Sequence, residues 1–438
     1  MRYYLREDIN LDADLIYKYI EADKANYARM LKLNDYYKAN HQILHRQFAD
    51  KTKPNNKVVN PFATYITDTA VGYFMGKPVE YSFNDDEYKE AIETINDFNN
   101  EESEDADLSK DASIFGYACE LLYLDNEANI RFHNFSPIGT IQIWSDRIDP
   151  QLMYFIRYYD YTSIDTGQTV KYIDVYSRKD VRHYVWDTVG VQFLSSEPHV
   201  WGEVPVIVYQ NSREEIGDFE RVISLIDAYD SLESDSVNDA DYFSDAMLQL
   251  KGVDGTTKED VMALKDEKIL LMPEGASAEW LIKNISDNSG ESLKTRVQED
   301  IHKFSFTPSL TDKDFANNAS GVAMKYKLMG LENITSKKEQ AFRKGLRKRY
   351  DLINKMLELF GQNFDTDMTI IFKRNLPENL VEMADILSKV GHLYSEETQR
   401  SILPWDIDDE SEVEKIQEEA EQKIEEQVVE KVDQDEEV

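Results

Sequence analysis

The stretch NKVVNPFATYITDTAVGYFMGKPV, Asn56–Val79, carries the pattern on which the fold turns. Val58, Val59, Phe62, Tyr65, Ile66, Thr69 and Tyr73 follow a helical period, which predicts one helix with a single apolar stripe. Gly76 reads as its stop, and Pro78 forbids continuation. Val79 to Phe83 then alternates as a strand does. Gly76-Lys77-Pro78 resembles the end of a phosphate loop, but it lacks the upstream glycine, the Ser/Thr and a preceding strand. It also follows a helix, where a phosphate loop opens one. Spanning a bilayer takes roughly 20 apolar residues, which this segment does not supply. Scaffold is the reading that survives.

Upstream, residues 10–50 are predicted helical until the polar break ADKTKPNN. Downstream, helical windows are predicted at about 85–100 and 105–118. From Cys119 to Asn211 the period switches to two. A hairpin turns around Asp125–Asn129, and TIQIWS, MYFIRYYDY, TVKYIDVYS, RHYVWD and VQFLS follow as short strands rich in Tyr and Trp. A long helix is predicted over about 213–250; 30 such residues would make a rod of about 45 Å. Gly252 and Gly255 end it, ILLMP reads as a strand and ASAEWLIKN returns. A second helix is predicted after the Asn288-x-x-Glu291 cap pattern and stops at Thr307-Pro308. The polar loop SLTDKDFANN precedes a helix of about 40 residues opening at Ala319. Strand TIIFKRN and helix LPENLVEMADILSKV complete the pattern, with no internal repeat.

At 438 residues and 41% hydrophobic content, the chain has material for two or three packed units. Its net charge of -36 argues against generic adhesion to nucleic acid, whose phosphates it would repel. Asp406–Val438 holds 16 acidic and 3 basic residues and so supplies -13 of that charge. No fold is assigned to so acidic a tail. The single cysteine, Cys119, rules out an intramolecular disulfide framework and fits a reducing compartment. The N-terminus MRYYLREDINLD is unlike a signal peptide, and the longest apolar runs, such as VPVIVY, are too short to span a membrane. A soluble, intracellularly made protein is expected.

Catalytic and metal-binding patterns are weak. His41 and His45 share a helix face, but the intervening QIL lacks a metalloprotease glutamate and no third ligand is signalled. Cys119 opens an apolar strand and reads as a buried small hydrophobe. No tight carboxylate cluster marks a two-metal nuclease. Two charge patterns do stand out. Residues 218, 220, 227, 230, 233, 235, 239, 241 and 245 are acidic along one helical window, against one basic residue, Arg221. Residues 337, 338, 343, 344, 347, 348 and 349 form a basic run, read either as a solvated helix face or as local phosphate contacts.

The Asn56–Phe83 segment, the EVPVIVY…LIDAYD junction and SGVAMKYKL, taken in this order, resemble the portal proteins of tailed bacteriophages, of the type in long-tailed phages of Gram-positive bacteria. The resemblance spans about 1–400. It implies an α+β portal fold with a β-rich wing, a two-helix stem, a small α/β clip, a tunnel loop and a long wing/crown helix. The implied divisions are N-terminal helices and wing (1–221), stem helices (222–250 and 290–308), clip (251–289) and tunnel loop (309–319). The long helix and wing strand (320–375), crown helices (376–405) and a disordered or helical tail (406–438) follow. The loop residues Ser309, Leu310, Thr311, Asp312, Lys313, Asp314, Phe315, Asn317 and Asn318 would narrow a channel against DNA. Asp230, Glu233, Asp235, Asp239, Asp241 and Asp245 would form the acidic stem face. Lys337, Lys338, Arg343, Lys344, Arg347 and Lys348 would touch phosphates.

The resemblance further implies a ring of about twelve copies at one capsid vertex of the virion, made in the host cytoplasm. Double-stranded DNA would be packaged through it by the terminase large subunit, retained, and ejected through the tail. Other implied partners are a head-tail adaptor and the major capsid and scaffolding proteins. No membrane, cofactor, metal or catalytic residue is implied. The alternatives are a phage DNA-processing enzyme (a metal-dependent nuclease or terminase component) and an acidic adaptor protein.

Overall fold

The computed structural model describes residues 2–51, 53–244, 247–251, 277–281, 287–309, 321–376 and 388–389. The chain divides into two compact units, Met1–Asn375 and Leu376–Val438. The expected acidic tail, most of the clip and the crown helices, and loop residues 310–319 lie outside the described residues.

The first unit is α+β. In chain order it contains β1 (Arg2–Leu5), α1 (Ala13–Tyr37), α2 (Phe62–Met75), β2 (Glu80–Phe83), α3 (Asp86–Asn99) and α4 (Glu101–Phe115). There follow β3 (Tyr117–Leu124), β4 (Ile130–Phe135), β5 (Thr140–Ser145), β6 (Leu152–Thr162), β7 (Thr169–Tyr176), β8 (Asp180–Asp187), β9 (Gly190–Pro198) and β10 (Val206–Gln210). Last come α5 (Ile223–Ser244), β11 (Met247–Lys251), β12 (Ser277–Leu281), α6 (Asp287–Ser305), α7 (Gly321–Leu359) and β13 (Met368–Ile371).

The Tyr-rich strands form a six-stranded sheet in the order β1-β5-β6-β7-β8-β9, with β1 parallel to β5 and every other pairing antiparallel. Alternation sends Ile141, Ile143, Ile156, Ile173 and Val175 to one face, where Ile16 and Ile20 of α1 cover them. A three-stranded sheet, β10-β3-β4, sits between the other two cores. On one side it meets α1, α2, α4 and the roots of α5 and α6. On the other, α3, α4 and α7 pack with the β2-β13 pair.

Helix α7 buries Leu328, Leu331, Thr335, Lys338, Phe342, Leu346, Arg349, Ile353 and Met356, a stripe at spacings of three and four. Its backbone comes close enough that a Cβ on Gly345 would lie 2.4 Å from the Tyr209 ring. Two positions in this apolar stripe are cations. Arg349 is fully buried, pairs with Glu120 at 2.5 Å and Asp105 at 2.6 Å, and stacks over Phe132 at 4.4 Å. Burial pushes the Asp105 and Glu120 carboxyls upward while the guanidinium opposes it. Removing one partner would leave an uncompensated buried charge, so the array fixes α7 to α4 and β3.

Several expected boundaries move. The helix predicted from Val58 begins at Phe62, because Pro61 holds the preceding residues extended. The window at 105–118 runs instead from Glu101 to Phe115; Gly116 ends it at φ +92°, where a Cβ would meet the Glu215 carbonyl at 2.0 Å. The first long helix stops at Ser244. Met247–Lys251, expected as its last turn, is a strand paired antiparallel with Ser277–Leu281. The sequence MLQLK satisfies a helical seam and an alternating strand alike, and the long-range partner decides. The second long helix starts at Asp287, so Asn288 lies within it.

Candidate channel helices

Helices α5 and α6 pack side by side in opposite directions. Near one end Val222, Ile223 and Ile226 share a core with Ile301, and Phe62 of α2 stands edge-on to Tyr229 and His302. Farther along, Lys294 reaches Glu233 at 3.3 Å and Glu291 at 2.9 Å. Lys294 is thus a bridge between the helices, placed where the partner carboxylate falls opposite.

A second face of α5 is covered from an unexpected direction. The extended segment before Pro61 lies along it, and alternate backbone N–H groups meet side chains one helical turn apart. Asn60 N–H donates to Asp230 Oδ1 at 2.8 Å, Val58 N–H to Ser234 Oγ at 2.9 Å and Asn56 N–H to Asn238 Oδ1 at 2.6 Å. The match is geometric: two residues of extended chain advance about 6.6 Å and four helical residues about 6 Å. Arg46 adds a bond to Asp235 at 2.8 Å, and the Asn56 side chain reaches Asp241. His41 Nδ1 lies 2.5 Å from Asp230 Oδ2, its Nε2 faces the Tyr36 carbonyl at 3.2 Å, and its ring stacks on Tyr36 at 4.6 Å.

This ladder corrects the expected acidic face. Asp230 is fully buried and receives Asn60 and His41, so its carboxylate does not face a lumen. Glu233 turns toward α6, and Asp241 and Asp235 engage the N-terminal segment. Only Asp235 and Asp239 fall in the exposed row Ser224, Ala228, Asp235 and Asp239 on the helix's third side. Asp245 lies outside the described residues. His41 is a fully buried structural partner of Asp230 at the start of the short turn Gln42–His45, and not one of two residues on a shared helix face as expected. Among the described residues no group of three or more His, Cys, Asp and Glu is placed to hold a metal. Cys119 is buried, as expected of a strand residue.

The basic run is divided by the helical period. Lys338 is buried against Asp218 and Ser113, Arg343 donates to the Ile370 carbonyl and Glu339, and Lys348 pairs with Glu203. These three, expected as phosphate contacts, hold α7 to its neighbours because they fall on or beside its buried stripe. Lys337, Lys344 and Arg347 stand exposed. Of the expected loop, Ser309 is described, lining a cavity of about 250 Å³ with Asn60, Pro61, Phe62, Tyr65, Gln298 and His302. Leu310, Thr311, Asp312, Lys313, Asp314, Phe315, Asn317 and Asn318 lie outside the described residues. No described helix is long and apolar enough to cross a membrane.

Sequence reasoning missed Arg46, Asn56, Asn60, Ser234 and Asn238. The available signal was Ser234 and Asn238, small polar residues one and two turns beyond Asp230.

The family model described as phage portal protein, SPP1 Gp6-like, matches residues 16–426. The portal protein of Bacillus phage SPP1 is 24% identical over 403 residues, covering 86% of this chain and 78% of its own. A chain from the solved neck of an empty GTA particle, computed with C6 symmetry, overlays 85% of this chain and 93% of its own at 12% identity and a TM-score of 0.43.

Proposed function

This chain belongs to the SPP1 Gp6-like family of phage portal proteins, and from that premise we propose how its parts divide a portal's work. Copies, about twelve by the resemblance, close into a ring at one capsid vertex. Helices α5 and α6 form the stem, residues 251–289 the clip, 309–319 the tunnel loop and 376–405 the crown. Double-stranded DNA enters through the ring, driven by the terminase large subunit, and later leaves through the tail by way of an adaptor. Major capsid and scaffolding proteins meet the ring at the vertex. The chain has no catalytic step of its own.

The observation that carries this reading is the apolar surface that a single copy leaves in water on its long helices. Leu293 and Phe304 of α6 and Tyr326 and Met329 of α7 are about half exposed or more, the highest being Tyr326 at 72%. Such rows on packed helices call for a neighbour, and a ring supplies one to every copy. α5 meets α6 on one side and the N-terminal segment on another. Its remaining side is small and carries Asp239, which would repel passing phosphate and let DNA slide, beside Asp235, whose charge Arg46 partly offsets. Exposed Lys337, Lys344 and Arg347 offer brief, sequence-independent phosphate contacts.

Replacing Lys313 and Asp314 with Ala and measuring packaged DNA tests the loop assignment. Fewer filled capsids, or capsids that leak DNA, are expected from rings that still assemble. Normal packaging and retention would count against 309–319 as the channel constriction.

A further inference from the structure

We infer that Tyr65 and His302 are positioning residues that fix the root of the loop beginning at Ser309. The inference rests on the reading of that loop as the channel constriction, and its argument is geometric. Helix α6 ends at Ser305, and Phe306 turns the chain out at φ +58°, a left-handed conformation that a phenylalanine keeps only where its surroundings impose it. The next two carbonyls are then each taken by a side-chain donor. His302 Nδ1–H points at the Thr307 carbonyl, 3.0 Å away, and Tyr65 Oη–H donates to the Pro308 carbonyl at 2.8 Å.

Proline has no backbone N–H, so its carbonyl is the one main-chain hydrogen-bonding group by which Pro308 can be held. The donors brace each other: Tyr65 and Phe62 stand edge-on to the His302 ring at 5.7 and 5.9 Å. Thr307 is buried, and burial lowers the His302 pKa, favouring the neutral ring with its proton on Nδ1. The Phe306 ring lies against Gly330 of α7, the helix that resumes after the loop. The root is therefore tied to α2, α6 and α7 at once. Tyr65 comes from the Asn56–Val79 segment, so that scaffold reaches the channel through one hydroxyl.

The test uses full-length rings carrying a nitroxide label at Thr311→Cys. Cys119 is buried and its thiol is pushed well upward by that burial, which keeps background labelling low. Adding Tyr65→Phe removes one oxygen and keeps the ring contacts. The expected result is at least a twofold fall in the label's rotational correlation time. A control label at Lys344→Cys should be unmoved, and packaged DNA should drop several-fold.

Unchanged mobility at position 311 would overturn the inference. Should Tyr65→Phe fail to assemble, His302→Leu frees the neighbouring carbonyl and is read the same way, while His302→Gln, which keeps a donor, should restore the wild-type signal. If Lys313→Ala with Asp314→Ala leaves packaging intact, the channel-loop reading fails. The label's mobility still decides the tether.

Discussion

Replacing Asp230 separates two pictures of helix α5. If its carboxylate lined a channel, Asp230→Ala and Asp230→Asn would be equally silent in stability. Instead Asp230 is fully buried, receives the Asn60 backbone N–H at 2.8 Å and the Asn60 amide at 3.1 Å, and pairs with His41 at 2.5 Å. Alanine would strand the Asn60 N–H and His41 Nδ1, although the His41 ring keeps the Tyr36 carbonyl and its stack on Tyr36. Each orphaned buried group costs about 1–3 kcal/mol, and breaking a buried pair about 3–5 kcal/mol, so a total loss of about 3–5 kcal/mol is expected after partial relaxation. Asparagine keeps an acceptor for Asn60 and offers an amide proton to the ring nitrogen, so its cost should fall to about 1–2 kcal/mol. Urea unfolding of the unassembled chain measures both, provided the slopes stay equal to wild type. A loss below 1 kcal/mol for Asp230→Ala, or equal losses for both variants, would refute the ladder.

Among the exposed cations, Lys337→Ala, Lys344→Ala and Arg347→Ala together should leave unfolding free energy within about 0.5 kcal/mol per site while weakening DNA retention, most visibly at low salt. Lys338→Ala should do the opposite, costing about 3–5 kcal/mol because the Asp218 carboxylate, its side chain 8% exposed, loses its cation and keeps only the Asn211 amide; equal stability of the two variants would contradict the division. Stability should also fall as pH rises from about 4 to 7. Burial, with repulsion from Asp107, raises Asp111 to about 7, and burial raises Asp23 to about 6. A carboxyl with a raised folded pKa stabilises only while protonated and loses that contribution on ionising. Asp111→Asn should therefore stabilise the protein by about 1–2 kcal/mol at pH 8 and little at pH 4, and a gain independent of pH would contradict this. At the acid end, Glu203 opposes the trend. Its burial is outweighed by Lys348 and Lys355, which hold it at about 2, so its contribution is lost only below about pH 4.5.

Local periodicity sufficed for most elements. The strands from Tyr117 to Gln210 and the 39-residue helix Gly321–Leu359 follow their patterns closely, since each buries a face whose spacing is written in adjacent residues. The failures share a cause: the deciding partner is far away in sequence. β1 is four residues of a polar terminus, made a strand by pairing with Gln142–Ser145. Met247–Lys251 becomes a strand through Ser277–Leu281, and the acidic run changes meaning because residues 41–60 lie against it. Charge of one sign along a helix identified α5 as special. It could not say which carboxylates were satisfied inside, because that depends on about 190 residues of intervening chain. The basic run failed likewise, since period alone puts Lys338 and Arg349 on the buried side but gives no hint of Asp218, Asp105 and Glu120 waiting there.

The central claim is that the exposed apolar rows of α6 and α7 are half of a contact completed by an identical neighbour. The most direct measurement is the mass of the purified 51.0 kDa chain in solution, paired with electron-microscope images of the same sample. Rings of about twelve copies around an open hole are predicted, and Leu293→Asp with Phe304→Asp should dissolve them into folded single subunits. A chain that stays a stable monomer at every concentration and salt tried, or rings indifferent to those two substitutions, would contradict the account.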